Sequence, residues 1–92
     1  GVPFMQPSEL TGTMHAFEQL FADWGCYIAS IPTYAGGPMA FGWGSDSSEA
    51  RDVDVAVLTK RLEAAGFDLR YYNPSVCTTA FGLPCYIEKL LP

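Results

Sequence analysis

The side chains with chemical potential are few and lie far apart. Tyr34 stands between Pro32 and the Gly36-Gly37 pair, in a turn of the kind that often carries function. There a flat apolar ring and one phenolic hydroxyl could meet an alkyl amine. The same placement suits a turn aromatic covering a sheet edge, and residue types alone leave the two readings level. Cys77 follows a turn near a helix start, where a thiolate is favoured, although a small buried hydrophobe is the simpler role. His15, directly after Met14 in a helical stretch, reads as a surface or half-buried imidazole. A Cys–His dyad has no local motif behind it. Asp52 and Asp54 are two apart and so share no helical face; a solvated helix start accounts for both.

Nothing in the chain matches a dinucleotide fingerprint, a P-loop or a nucleophile elbow. The Gly-x-Gly around Trp43 reads as tight packing within a strand. Cys26, Cys77 and Cys85 fit neither zinc-ligand nor C-x-x-C spacing, and His15 is the one histidine, so no metal or bound cofactor is expected. Free thiols suit a reducing cytoplasm. The amino terminus has no charged-then-apolar leader, and no stretch is long enough to span a bilayer. A chain beginning at Gly1 rather than Met fits a fragment.

The chain has 92 residues, 49% of them hydrophobic, with six Phe, five Tyr and two Trp, enough for one small globular domain. So short a chain cannot hide that much aromatic surface. Some of it is expected to meet a second copy, another partner or a missing part of the same fold. A formal charge of -5 without any Lys/Arg cluster argues against a nucleic-acid backbone as partner and favours small polycations.

Three helices and a hairpin must position these residues. Ser8 is placed to cap a helix over about 8–24, whose Leu10, Met14, Phe17, Leu20, Phe21 and Trp24 form one apolar face, with Gly25 as C-cap. Cys26–Thr33 is a continuous apolar run, read as a strand buried on both faces. After the Tyr34–Pro38 turn, Met39, Phe41 and Trp43 alternate with Ala40, Gly42 and Gly44, so a second strand carries one small-residue face open to close approach. The hairpin spans about 26–45. A second helix is predicted over 49–65, with Val55, Leu58, Leu62 and Ala65 inward. Glu49, Asp52 and Asp54 near its start and Lys60 and Arg61 near its end match the macrodipole. Gly66 caps it, and Phe67 can fold back on its last turn. Asp68–Tyr72 reads as short and extended, Ser75 as the cap of a brief helix to Ala80, and 84–91 as a final helix with Pro84 in its first turn. The order describes an incomplete α/β layout, because a lone hairpin is marginal and a doubly buried strand needs neighbours.

Two runs carry a specific resemblance. Ile31-Pro32-Thr33-Tyr34, then Gly37 and the strand from Met39, resembles a conserved segment of spermidine synthases. Arg70-Tyr71-Tyr72-Asn73-Pro74 followed by Ala80-Phe81-Gly82-Leu83-Pro84 is similar to that family's closing motif, with Cys77 where its histidine stands and Thr79 in place of an alanine. The order and spacing agree, and the resemblance covers residues 1–92 as a single partial domain, the carboxyl-terminal third of such an enzyme.

The resemblance implies a partial Rossmann-like, methyltransferase-type fold ending in an antiparallel hairpin. It also implies a polyamine pocket lined by Tyr34, Gly37 and Met39, and putrescine or spermidine as ligand. The family's co-substrate is decarboxylated S-adenosylmethionine, and the segments that bind it and supply the catalytic aspartate would precede Gly1. The chain alone is therefore expected to be inactive. The alternative is a self-associating or partner-binding module without a ligand role.

Overall fold

The structure, a computed structural model, describes residues 2–33 and 36–92. Among them run α1 (Pro7–Leu20), β1 (Asp23–Ala29), β2 (Met39–Ser45), α2 (Val55–Ala65), α3 (Pro74–Thr79) and α4 (Cys85–Glu88). The architecture is mixed α/β: four helices around a two-stranded antiparallel sheet.

The first strand of the hairpin is shifted toward the amino terminus relative to the expected Cys26–Thr33 run. Asp23 pairs with Ser45 and Ala29 with Met39, so the strand begins three residues before Cys26 and ends before Thr33. Pro32 lacks the N–H that a ladder needs, which explains why residues 30–33 leave the sheet. Nor is β1 buried on both faces: Gly25 and Cys26 are buried, whereas Tyr27, Ile28 and Ala29 are half-buried.

The small-residue face of β2 holds as expected. A Cβ on Gly42 would lie 3.0 Å from the Phe17 ring, and one on Gly44 would overlap the Phe21 ring. Helix α1 therefore seats directly on β2 backbone. Trp24, Cys26 and Ile28 share that face by register, and Leu10, Met14, Cys26, Ala40 and Ile87 form the buried core. The Met14 and Ile87 side chains are fully covered, each contributing about 1.5–3 kcal/mol by removal from water. The hydroxyl of Thr11 donates to the Leu90 carbonyl at 2.9 Å, tying the tail across the first helix.

Helix ends differ from expectation in instructive ways. Helix α1 starts at Pro7, with Gln6 as N-cap and no side-chain cap bond, so Ser8 lies inside the first turn. It stops at Leu20 because Trp24 and Gly25 are claimed by pairing with Gly44 and Trp43, and extended Phe21 is the C-cap in place of Gly25. Leu20, which the spacing placed inward, is 69% exposed. Helix α2 starts at Val55, not Glu49. Residues 48–51 form a turn, so no acid occupies its first turn and no base its last, and the dipole match is absent. Gly66 is the left-handed C-cap (φ 69°), but Phe67 points away to solvent. No α2 side chain is buried; Leu58 and Leu62 are half-covered and Val55 is exposed. Asn73, not Ser75, caps α3 by accepting from the Val76 N–H at 2.9 Å, with Pro74 at the first helical position. Residues 68–72 form no strand, and α4 is one turn rather than the two expected over 84–91, with Pro84 as its N-cap.

Two outcomes follow from this packing. Gly44→Ala is expected to cost about 1–3 kcal/mol in urea unfolding, because the Phe21 ring must leave its seat. Gly44→Ala combined with Phe21→Ala should lose clearly less than the two singles summed. Burial raises the Cys26 pKa, with Arg51 opposing more weakly. A thiol raised on folding stabilises the fold below its unfolded pKa, and that contribution is lost as pH rises through the folded pKa. Stability should therefore fall above about pH 8.5, and Cys26→Ala should flatten that fall in unfolding titrations.

Candidate functional site

The turn that joins the strands carries the candidate site. Gly36 and Gly37 both have positive φ (105° and 114°), a backbone region that favours glycine. A Cβ on Gly36 would press on the Met5 sulfur at 2.5 Å, so the turn folds tightly over the segment before α1. Gly37 faces a shallow, largely apolar groove of about 530 Å³ that it lines with Gly36, Phe4 and Tyr86. The Phe4 and Tyr86 rings meet edge-to-face with centroids 6.5 Å apart, and Phe4 is 73% exposed.

Of the three residues expected to contact a ligand, Gly37 lies in this groove. Met39 opens β2 opposite Ala29, half-buried, and is not among the groove's lining residues. Tyr34 lies outside the described residues. No carboxylate lines the described part of the groove, so what these residues offer a cation is aromatic faces and backbone.

A second groove, of about 420 Å³, lies on the hairpin face turned away from α1. Its floor is a ring cluster: Tyr27 stacks on Phe41 at 5.3 Å, while Phe81 approaches Tyr27 and Trp43, each at 5.5 Å. Tyr71, Tyr72 and Cys77 form its wall. The Cys77 side chain, hydrogen-bonded to the Tyr72 phenol, raises that phenol's pKa, with burial and the neighbouring thiol's charge adding to it. Cys77 is half-buried and Cys85 exposed, whereas Cys26 lies in the core; all three are free thiols. His15 is on the exposed side of α1.

One ion pair fastens this second face. Asp23 accepts from the Trp43 indole N–H at 3.1 Å and from the Arg51 guanidinium at 2.9 Å. Arg51 also reaches the Trp24 carbonyl at 3.4 Å and lies over the Phe81 ring, 5.2 Å from its centroid. Asp23, Trp43, Arg51 and Phe81 thus tie β1, β2, the 46–54 segment and the end of α3 together.

No family model matches the chain. Individual relatives do. Over all 92 residues it is 59% identical to a polyamine aminopropyltransferase of a Ruegeria species. It is 44% identical over 91 residues to that of Erwinia tasmaniensis, and 45% identical over 87 residues to that of Pseudomonas syringae pv. tomato. The chain is homologous to polyamine aminopropyltransferases over its whole length. It spans 32%, 32% and 30% of these three relatives, about a third of their length.

For an aminopropyltransferase homologue, residue spacing located the glycine turn but missed Phe4, Tyr86 and the Asp23–Arg51 pair. Tyr86 is three residues from Leu83 and four from Leu90, so helical spacing places it beside them and no local signal marks it out. Asp23 and Arg51 are 28 residues apart, so their meeting leaves no local trace. Asp23→Ala and Arg51→Ala are expected to be non-additive by about 1 kcal/mol in a double-mutant cycle read by chemical unfolding.

Proposed function

We propose that these residues form the carboxyl-terminal, polyamine-facing third of an aminopropyltransferase, with β1 and β2 as the closing strands of a Rossmann-like sheet. The observation that carries this reading is the homology over all 92 residues to enzymes about three times as long. The glycine turn with its aromatic groove supports the placement of a ligand there.

On this reading the ligand is putrescine or spermidine. The Tyr34 hydroxyl accepts a hydrogen bond from an amine, while Gly37 and Met39 bound the methylene chain. The reaction is a displacement: the neutral amine nitrogen forms a bond to the aminopropyl carbon and the bond from that carbon to the sulfonium sulfur breaks. The proton of the attacking amine goes to a carboxylate base. That base and the seat for decarboxylated S-adenosylmethionine come from other parts of the enzyme, so these residues alone bind without turning over. The setting is the cytoplasm, in keeping with three free thiols; among the described residues no helix is long and apolar enough to cross a membrane.

A second reading, a self-associating module, draws on the exposed Phe4, Met5, Leu20 and Phe67 side chains, each 67–73% exposed. A strictly monomeric chain at high concentration in light scattering removes it.

The test of the first reading is an NMR titration of the labelled chain with putrescine and spermidine. Saturable shifts at Gly36, Gly37 and Met39 are expected, and Tyr34→Phe should weaken binding about 3–10-fold, the worth of one hydrogen bond. A well-dispersed spectrum without shifts removes the ligand role. Spermidine formation by the chain alone overturns its assignment as a non-catalytic part.

A further inference from the structure

The ladder ends at the Ala29–Met39 pair, and residues 30–38 connect the two strands. The two limbs of that connection are held differently. On the far limb Gly36 packs against Met5 and Gly37 faces Tyr86. On the near limb, residues 30–33, Ile31 is half-buried while Ser30, Pro32 and Thr33 are exposed. Among the described residues this limb makes one hydrogen bond, from the Ser30 N–H to the Tyr71 hydroxyl at 3.3 Å.

That bond continues a pattern. Alternate residues of an extended chain point their N–H groups to the same side. Two residues before Ser30, the Ile28 N–H donates to the Ala80 carbonyl at 3.0 Å. Ala80 and Tyr71 thus take successive outward amides, and Tyr71 carries the alignment one step past the last ladder pair. The segment that supplies both acceptors is itself braced. Asn73 caps α3 by accepting from the Val76 N–H, and the Cys77 side chain is hydrogen-bonded to the Tyr72 phenol.

The near limb is stiff, so it transmits whatever is set at Ser30. Proline locks φ of Pro32 near about −65°, and the residue before it, Ile31, is confined to extended conformations. A swing of ~10° at Ser30 would displace Thr33, at most about 10 Å away, by up to roughly 2 Å. A displacement of that size breaks a hydrogen bond. Tyr71, in contrast, matters little to the core. Its ring is 55% exposed and lies in the groove on the face turned away from α1.

We infer that Tyr71 is a positioning residue for polyamine binding. By accepting from the Ser30 N–H it fixes the limb that leads into Tyr34, and through that limb the place where the Tyr34 hydroxyl meets an amine. The inference rests on the reading of Tyr34 in the preceding section, and Tyr71 itself does not touch the ligand.

Tyr71→Phe tests it, since this change keeps the ring and removes only the hydroxyl. The labelled chain, Tyr71→Phe, Tyr34→Phe and the double variant are each titrated with putrescine and followed by NMR. Tyr71→Phe should weaken binding about 2–5-fold, and in the Tyr34→Phe background that effect should vanish. The Ser30 amide should exchange about 5-fold faster in Tyr71→Phe than in the unsubstituted chain, while the unfolding midpoint in urea stays the same. Equal Ser30 exchange in the two chains overturns the inference. So does a loss of affinity that persists undiminished without the Tyr34 hydroxyl, which would make Tyr71 an independent contact. Weaker binding in Tyr34→Phe with unchanged binding in Tyr71→Phe overturns the inference and leaves the polyamine reading standing. Absence of putrescine binding by the unsubstituted chain removes both.

Discussion

The close seating of α1 on the glycine face of β2 is the constraint on which the rest of the structure depends. With no Cβ at Gly42 and Gly44, the Phe17 and Phe21 rings lie against strand backbone, and Met14 drops between the layers to full burial. Two methyl groups at those positions would lift the helix and open the space that Ile87 closes from the other end of the chain. The core cluster among the described residues is small for so apolar a chain, five buried side chains with half-buried hydrophobics packed around them. Its stability therefore rests on this one interface, and much of the remaining apolar surface stays at the margin. No side chain of α2 is buried, and with Leu58 and Leu62 only half-covered this helix adds little to the core.

The opposite face of the sheet is held by polarity and rings instead of aliphatic packing. Asp23 gathers an indole N–H and a guanidinium, and the same guanidinium covers Phe81. The pair is half-buried, the setting in which geometry counts most: the planar guanidinium serves a carboxylate, a carbonyl and a ring at once, which a lysine ammonium could not do. It also accounts for the late start of α2. Arg51 is drawn to the hairpin, and the residues around it turn instead of joining the helix that follows.

How much was legible in the sequence depends on whether a residue's partner is near it along the chain. The alternation of Met39, Phe41 and Trp43 with small residues announced β2 and its bare face, and Gly66 announced a C-cap, because each signal is complete within a few residues. Gly25 was misread for the opposite reason. A glycine after an apolar helical face looks like a cap, but Gly25 and Trp24 are claimed by Trp43 and Gly44, about twenty residues on. Glu49–Asp54 has the composition of a helix start, and only the distant Asp23 shows why it is not one. At the candidate site the double-glycine turn was visible from its residue types, and Gly37 was singled out within it only through the family resemblance. Phe4 and Tyr86 were not visible, since residues at the two ends of the chain meet there.

The tie between Thr11 and Leu90 reaches across 79 residues, and Ile87 is buried against residues from the first half. Such a core cannot be completed piecemeal during synthesis. At about 5–20 residues per second, a ribosome takes roughly 2–8 s to pass from the end of β2 to residue 87. For that interval Met14 and Cys26 lack the cover that Ile87 later supplies. The last residues to be made are thus the ones that close over the first helix, and the core is finished only at the end of the 92 residues.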